Sequence, residues 1–243
     1  MFNLLSTGNT KTLKGLKKGY NTYILHLSPY NLAGLGNVCS HASKACKTAC
    51  LNTAGRGGMF KQGESIENNT NIVQIARKRK TALFFNDVQK FMSLLVADIE
   101  KAIKQSNKKG LIPVFRLNGT SDIAWYKIKI VSHGNKNIFQ LFPDTQFYDY
   151  TKNPKIAIAS QSIKNYHITF SQSESNQETV KTMLESGVNV AIVFNRLPEQ
   201  YYNMIVHDGD YTDLRFLDKT GIIGLKAKGK AKKDNSGFVV KIV

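Results

Sequence analysis

Apolar and polar positions alternate along this chain in two rhythms. Nearly continuous apolar runs of strand length occur in "NTYILHLSP", "LIPVFRLNGTSDI", "NIFQLFPDTQFYDYT" (Gln146 to Tyr150), "YHITFSQSES", "VNVAIVFN" and "TGIIGLKAKG". Between the first two runs the apolar residues step by three and four. Ile72, Val73, Ile75 and Ala76 open one amphipathic helix, and Val88, Phe91, Leu95, Ile99 and Ala102 mark a second. The second ends at "KQSNKKG", whose cations and Gly110 suit a helix C-terminus. Ser175 and Glu178 have capping-box spacing for a later helix, which Gly187 closes.

Strands alternating with helices predict an α/β chain with a parallel sheet or barrel. Each run is apolar in its middle and polar at its C-terminal end. In a parallel barrel those ends gather on one rim, where such folds place their chemistry. The expectation is a single domain over 1–243, a complete or partial parallel (β/α) barrel, with basic flexible ends near 1–18 and 230–243.

Charge adds a partner class. Lys and Arg number 34 against 17 Asp and Glu, a formal net charge of +17. Such a field attracts polyanions, nucleic acid first and an anionic membrane surface second. A lysine-rich solubilising surface is the plain alternative. The lysines are scattered, with denser runs at "KTLKGLKKG", "ARKRK", "KQSNKKG" and "KAKGKAKK", which describes a broad footprint more than a recognition motif. No run approaches the roughly 20 apolar residues of a membrane span. The N-terminus has no apolar core of signal-peptide type. A cytoplasmic protein without a membrane partner is expected.

All three cysteines fall in "VCSHASKACKTACLNTAGRG": Cys39, Cys46 and Cys50, with six and three residues between them. An odd count argues against a disulfide framework. A closed zinc site wants four ligands, so His41 or a distant His26, His133, His167 or His207 would have to complete it. Three thiolates are a full protein set for a four-iron four-sulfur cluster with one iron left open. Idle, buried thiols are the third possibility. The glycines and Arg56 of "LNTAGRGG" form either a plain turn or a loop that wraps a ligand.

The other strand ends supply candidate ligand contacts. Arg116, Asn118, Gly119, Thr120, Ser121 and Asp122 follow the second run; they either read hydroxyl and amino groups or cap a turn. "FYDYTK" offers Tyr148, Tyr150 and Lys152, aromatic and cationic partners for a nucleotide. Strand alternation puts Tyr148 and Tyr150 on one face and Asp149 on the other. Ser171, Ser173 and Glu174 follow the fourth run. Lys226 and Lys228 alternate onto one face of the last. Asp208, Asp210, Asp213 and Asp218 form an acidic stretch. We read it as a hairpin whose carboxylates pair with Arg215 or nearby lysines, in preference to a hard-cation site.

"LSPYNLAGLGNVCSHASKACKTACLNTAGRG", "FRLNGTSDI", "FYDYTK", "TFSQSES" and "GLKAKG" resemble, in order, the gene-product-88-like domain of bacteriophage and plasmid genomes. The resemblance runs from about Lys14 to Lys230. More loosely, a first strand followed by a cysteine loop and polar rim clusters is similar to radical S-adenosylmethionine enzymes, which hold three cysteines there. The sequence departs from the usual cysteine spacing of three and two intervening residues. "NGTSD" stands where Gly-Gly-Glu is usual. This second resemblance implies a cluster on Cys39, Cys46 and Cys50, with S-adenosylmethionine as cofactor.

The leading expectation is an iron–sulfur, radical-type enzyme acting on nucleic acid or a nucleotide. Its ligand site would be lined by Asn118, Gly119, Ser121 and Asp122 and faced by Tyr148, Lys152 and Ser171. The second is a non-catalytic nucleic-acid-binding protein with a structural metal, and the third a hydrolase or nuclease using the acidic stretch.

Overall fold

The computed structural model describes residues 3–7 and 10–242. Ten strands among them form one sheet. They are β1 (Leu5–Ser6), β2 (Tyr20–Leu25), β3 (Ile112–Arg116), β4 (Gln146–Thr151), β5 (Tyr166–Ser171), β6 (Asn189–Phe194), β7 (Gln200–Tyr201), β8 (Met204–Asp208), β9 (Ile222–Lys226) and β10 (Val239–Val240). Their order is β1-β2-β3-β4-β5-β6-β9-β8-β7, with β10 beside the end of β6. Only β1 with β2 and β7 with β8 pair antiparallel. β1 and β7 stand at opposite ends of the order, so pairing does not close the sheet.

Helix α1 (Thr10–Leu16) precedes β2. Between β2 and β3 lie α2 (Lys44–Thr48), α3 (Ile72–Asn86) and α4 (Val88–Asn107). Single helices α5 (Ile138–Leu141), α6 (Pro154–Ser160) and α7 (Gln177–Glu185) separate the next strands up to β6. Thus β2 to β6 lie side by side in chain order, as the alternation predicts. The ends expected to be flexible carry β1, α1 and β10; that expectation also covers residues 1–2, 8–9 and 243, which lie outside the described residues.

Capping fixes several helix starts. The Asn71 side chain accepts from the amides of Val73 and Gln74, Asp87 from Lys90, and Asn153 from Lys155 beside Pro154. The capping box expected at Ser175 and Glu178 is not formed. The helix begins at Gln177, and Asn176 turns its side chain back to the Ser173 amide and the Ser171 carbonyl. Gly187, at φ 74°, does end it.

One face of the sheet carries the main core. Phe115, Leu117, Phe147, Ile168, Phe170, Val190 and Ile192 pack with Phe91, Leu95 and Ile99 of α4, Ile156 of α6 and Val180 and Met183 of α7. Each fully buried side chain of this size contributes about 1.5–3 kcal/mol. The opposite face has a smaller apolar layer, in which Val114 and Tyr148 meet Leu214, with Tyr20 and Phe216 against them.

Leu214 and Phe216 belong to the connection from β8 to β9, which crosses this face beside β4 and β5. The expected hairpin at Asp208-Gly209 lies earlier: β7 and β8 turn at Tyr202 and Asn203, both in the left-handed region. The acidic stretch is ion-paired, as the sequence suggests. Arg116 Nη1 meets Asp213 Oδ2 at 2.6 Å, Arg215 Nη1 meets Asp218 Oδ2 at 3.0 Å, and Lys228 Nζ meets Asp210 Oδ1 at 2.5 Å. Arg215 is fully buried and also donates to the carbonyls of Gly209 and Thr212.

Removing one member of a buried pair strands the other charge. Asp213→Ala is expected to cost about 3–5 kcal/mol of stability, read by urea unfolding. Arg116→Met with Asp213→Leu should recover most of that loss, because neither charge is then stranded.

Candidate functional site: a cysteine-lined cavity at the strand ends

Past β2 the chain keeps Leu27 and Ser28 buried, then turns at Tyr30. Tyr30 has φ 39°, which a bulky side chain rarely adopts. Its carbonyl accepts the Val38 amide, and the Val38 carbonyl accepts the Asp122 amide at 2.7 Å. The cysteine loop is thereby stitched to the end of β3. Cys39 Sγ donates to the Thr120 carbonyl at 3.5 Å.

Helix α2 carries Cys46 and is held at its start. Ser43 Oγ accepts from the Cys46 amide and donates to Glu174 Oε2 at 2.6 Å; the Ala45 amide donates to Glu174 Oε1 at 2.9 Å. The hydrogen bonds from Ser43 and Ala45 outweigh burial and hold the Glu174 carboxyl below the usual glutamate range. "LNTAGRGG" forms two short 3₁₀ turns, so the turn reading fits. They rest on a buried polar network. Gln74 Nε2 donates to the carbonyls of Asn52 and Gly57, and Arg77 Nη1 donates to the Asn52 carbonyl and Oδ1. A Cβ on Gly57 would lie 2.5 Å from the Asn52 carbonyl oxygen, so glycine is needed for packing there.

The three cysteines are free thiols, half-buried, on the wall of one cavity of about 270 Å³. Arg116, Asn118, Gly119, Thr120, Ser121, Asp122, Lys152 and Ser171 line the same cavity. Burial pushes the Cys39 thiol up to about 12, and the neighbouring Cys50, Asp122 and Cys46 act in the same direction. Burial raises the Cys50 thiol too. None of the five histidines lines the cavity. Among the described residues no three or more His, Cys, Asp or Glu converge as one ion's ligands.

Tyr148, Ser173, Lys226 and Lys228 do not line it. Tyr148 is fully buried one layer below, its ring 5.7 Å from the Arg116 guanidinium. Ser173 is buried, with its amide bonded to Asn176. Lys226, the last residue of β9, and Lys228 beyond it are exposed, and Lys228 is engaged by Asp210.

Several lining residues spend their polar atoms on building the rim. Asn118 Oδ1 accepts from Ser121 Oγ, the Ile123 amide and Trp125 Nε1. Thr120 Oγ1 donates to the Leu27 carbonyl. Asp122 accepts from Thr151 Oγ1 and the Lys152 amide. These bonds build the turn, and the same residues line the cavity. Gly119 also packs closely against β2: a Cβ there would lie 2.7 Å from the Leu25 carbonyl oxygen.

Sequence reasoning missed Tyr30, Gln172 and Phe238 as lining residues, and it did not select Tyr150 over Tyr148. Strand alternation held the signal for Tyr150. Nothing local marks Phe238, which arrives from the distant C-terminal segment. Arg116 Nε, Tyr150 Oη and Gln172 Oε1 are buried with no hydrogen-bond partner.

A second cavity, of about 560 Å³, opens at the other ends of the strands beside Gln146, His167, Asn189 and Asp218. It contains none of the candidate cofactor or substrate contacts.

Fold and site together define an α/β protein with a cysteine-lined cavity at the C-terminal ends of parallel strands. The chain belongs to the Gene product 88 family, whose model matches residues 3–242. No curated protein and no solved structure matches it. Among the described residues no helix is long and apolar enough to cross a membrane.

Two outcomes are expected. Glu174→Ala should speed hydrogen exchange at the Ala45 and Cys46 amides while leaving α4 unchanged. In the wild type the same loosening should come as pH falls through the depressed Glu174 pKa, because its stabilisation is present only above that value. The second concerns Asp149, which accepts from the amides of Leu117 and Asn118 and from Tyr166 Oη. Burial raises it from 3.8 to about 7 against the pull of Arg116 and those donors. Between these values the folded chain keeps a proton that the unfolded chain releases, so this group's contribution to stability falls as pH rises. The wild type should therefore lose stability relative to Asp149→Asn from about pH 4 to 7. A constant difference in urea midpoint would contradict it.

Proposed function

We propose that this protein is an iron–sulfur enzyme of radical S-adenosylmethionine type, built as a partial (β/α) barrel and acting on nucleic acid or a nucleotide. One observation carries the reading: three free thiols share a cavity at the C-terminal strand ends with Arg116, Tyr150 and Gln172. The chain-order arrangement of β2 to β6 suits a partial barrel.

The donor set fits a cluster better than zinc. Zinc needs four ligands about 2.3 Å or less from one point. The cysteines do not converge that way, and no histidine joins them. A cluster receives its thiolates on separate irons and spaces them more widely. Cys39, Cys46 and Cys50 would hold it. Such a cluster supplies low-potential electrons and an iron free to bind S-adenosylmethionine.

The chain's own residues supply the surroundings. Pro29, Ala42, Ala49, Ala191, Val193 and Leu225 line the cavity with hydrocarbon and limit water there. Lys47 and Lys152 supply positive charge for an anionic substrate. Glu174 acts as a positioning residue for α2 and its cysteine.

The test is iron, zinc and acid-labile sulfide content of protein purified without oxygen. About four irons and four sulfides per chain are expected, lost in each Cys→Ser variant. About one zinc per chain would shift the function to a nucleic-acid-binding protein with a structural clip. Neither metal would end the radical mechanism.

A further inference from the structure

Several side chains of the cavity wall go beyond holding the cysteine loop. Tyr30 and Phe238 both line it, and each ring is covered by a lysine that also lines it: Lys47 Nζ lies 5.6 Å from the Tyr30 centroid and Lys152 Nζ 5.7 Å from that of Phe238. Tyr30 holds its left-handed conformation despite its Cβ, although glycine would adopt it more readily. Three lining residues each keep a buried polar atom without a hydrogen-bond partner: a donor on Arg116, a hydroxyl on Tyr150 and an acceptor on Gln172. Gln172 is 4% exposed and the Arg116 side chain 12%. A buried polar atom without a partner calls for one, and a small shift of these side chains would bring it to the cavity.

Flat rings, cations beside them and mixed donors and acceptors match one chemistry. Bases stack on aromatic rings, lysines neutralise the adjoining phosphates, and an unpaired base exposes an edge of donors and acceptors. About 270 Å³ lies below the usual range for drug-sized ligands, and the cysteine end of it belongs to the proposed cluster, so a base pair does not fit.

We propose that this cavity receives one unpaired base of a nucleic-acid strand. Tyr30 and Phe238 stack at its mouth, Lys47 and Lys152 hold the flanking phosphates, and Arg116, Tyr150 and Gln172 read the base edge. The proposal rests on the reading that the cysteine cavity is where substrate binds.

The test is fluorescence anisotropy with short labelled oligomers of thymidine, cytidine and adenosine, using protein purified without oxygen and without added S-adenosylmethionine. Single strands should bind more tightly than duplex, with one base preferred. Phe238→Ala and Tyr30→Ala should each weaken binding about tenfold or more. Tyr30→Phe should retain it, with an unchanged thermal midpoint. Gln172→Leu should flatten the base preference. Lys47→Ala with Lys152→Ala should lower the slope of log affinity against log salt by about 1.4, for two phosphates at ~0.7 each. Lys108→Ala with Lys109→Ala, at the other ends of the strands, removes equal charge and should change affinity much less.

Equal losses in both lysine pairs, or unchanged binding in the ring variants, would make the binding diffuse surface charge and overturn the proposal. So would equal affinity for duplex. Displacement by an equal concentration of thymidine monophosphate would replace the strand with a free nucleotide. Metal content does not enter this readout, so failure here and failure of the iron–sulfur reading are separable.

Discussion

The ion pair between Arg116 and Asp213 locks together two parts of the molecule that otherwise meet only through a small apolar layer. Arg116 is the last residue of β3, on the face away from α4, α6 and α7. Asp213 lies in the crossing between β8 and β9. A parallel sheet must cover both faces, and here the second cover is this crossing with its small apolar layer. Burial works against the Arg116 charge, yet Asp213 holds its pKa above the ordinary arginine value. With Arg215 tied to Asp218 and to two carbonyls, the crossing is anchored by charge where its apolar contribution is small. The pair also forms part of the cavity floor, so the closing of this face and the shape of the site are one constraint.

The cysteine loop is positioned by a different means. It has little regular structure, and besides the packing of Val38 and Cys39 it is fixed by hydrogen bonds to distant elements: Asp122 beyond β3, Glu174 beyond β5, Gln74 and Arg77 on α3. With these polar anchors the loop presents Cys39 and Cys50 outside any helix or strand, and Cys46 on the short α2. The cost falls on Gln74, whose burial is tolerable only because its amide is bonded to Asn52 and Gly57.

Strand positions were legible because each central strand is an apolar run bounded by polar residues, and a strand buried on both faces reads that way. Helix α4 was legible from its period; α3 forms where expected, but it buries Gln74, Lys80 and Thr81 and leaves Ile72 exposed, so its apolar period did not mark its inner face. The rim was legible as a place but not in its division of labour. Asn, Thr, Ser and Asp build turns and also contact ligands, and only hydrogen-bond partners separate the two roles. Asn118 and Asp122 are consumed by neighbours up to 30 positions away, which no local pattern announces. The capping box failed for a related reason: Asn176 had a better partner in the end of β5. Lys226 and Lys228 alternate as expected of a strand, but β9 ends at Lys226, and the chain carries both to the surface.

Tyr148 and Tyr150 show how depth along a strand decides what a side chain does. Both lie on the face crossed by the β8–β9 connection. Tyr148, fully buried, belongs to the apolar layer with Val114 and Leu214. Arg116 and Asp213 come next, with the guanidinium 5.7 Å from the Tyr148 ring and 5.1 Å from that of Tyr150. Tyr150, Asn118 and Ser171 then bound the cavity. Two residues along a strand advance a side chain by about 6.6 Å, close to the thickness of one such layer. The same residue type is therefore core at one position and cavity wall at the next on that face. The ion-paired layer between them gives the cavity a floor that is polar and fixed, while the apolar layer beneath keeps that floor from sinking into the sheet.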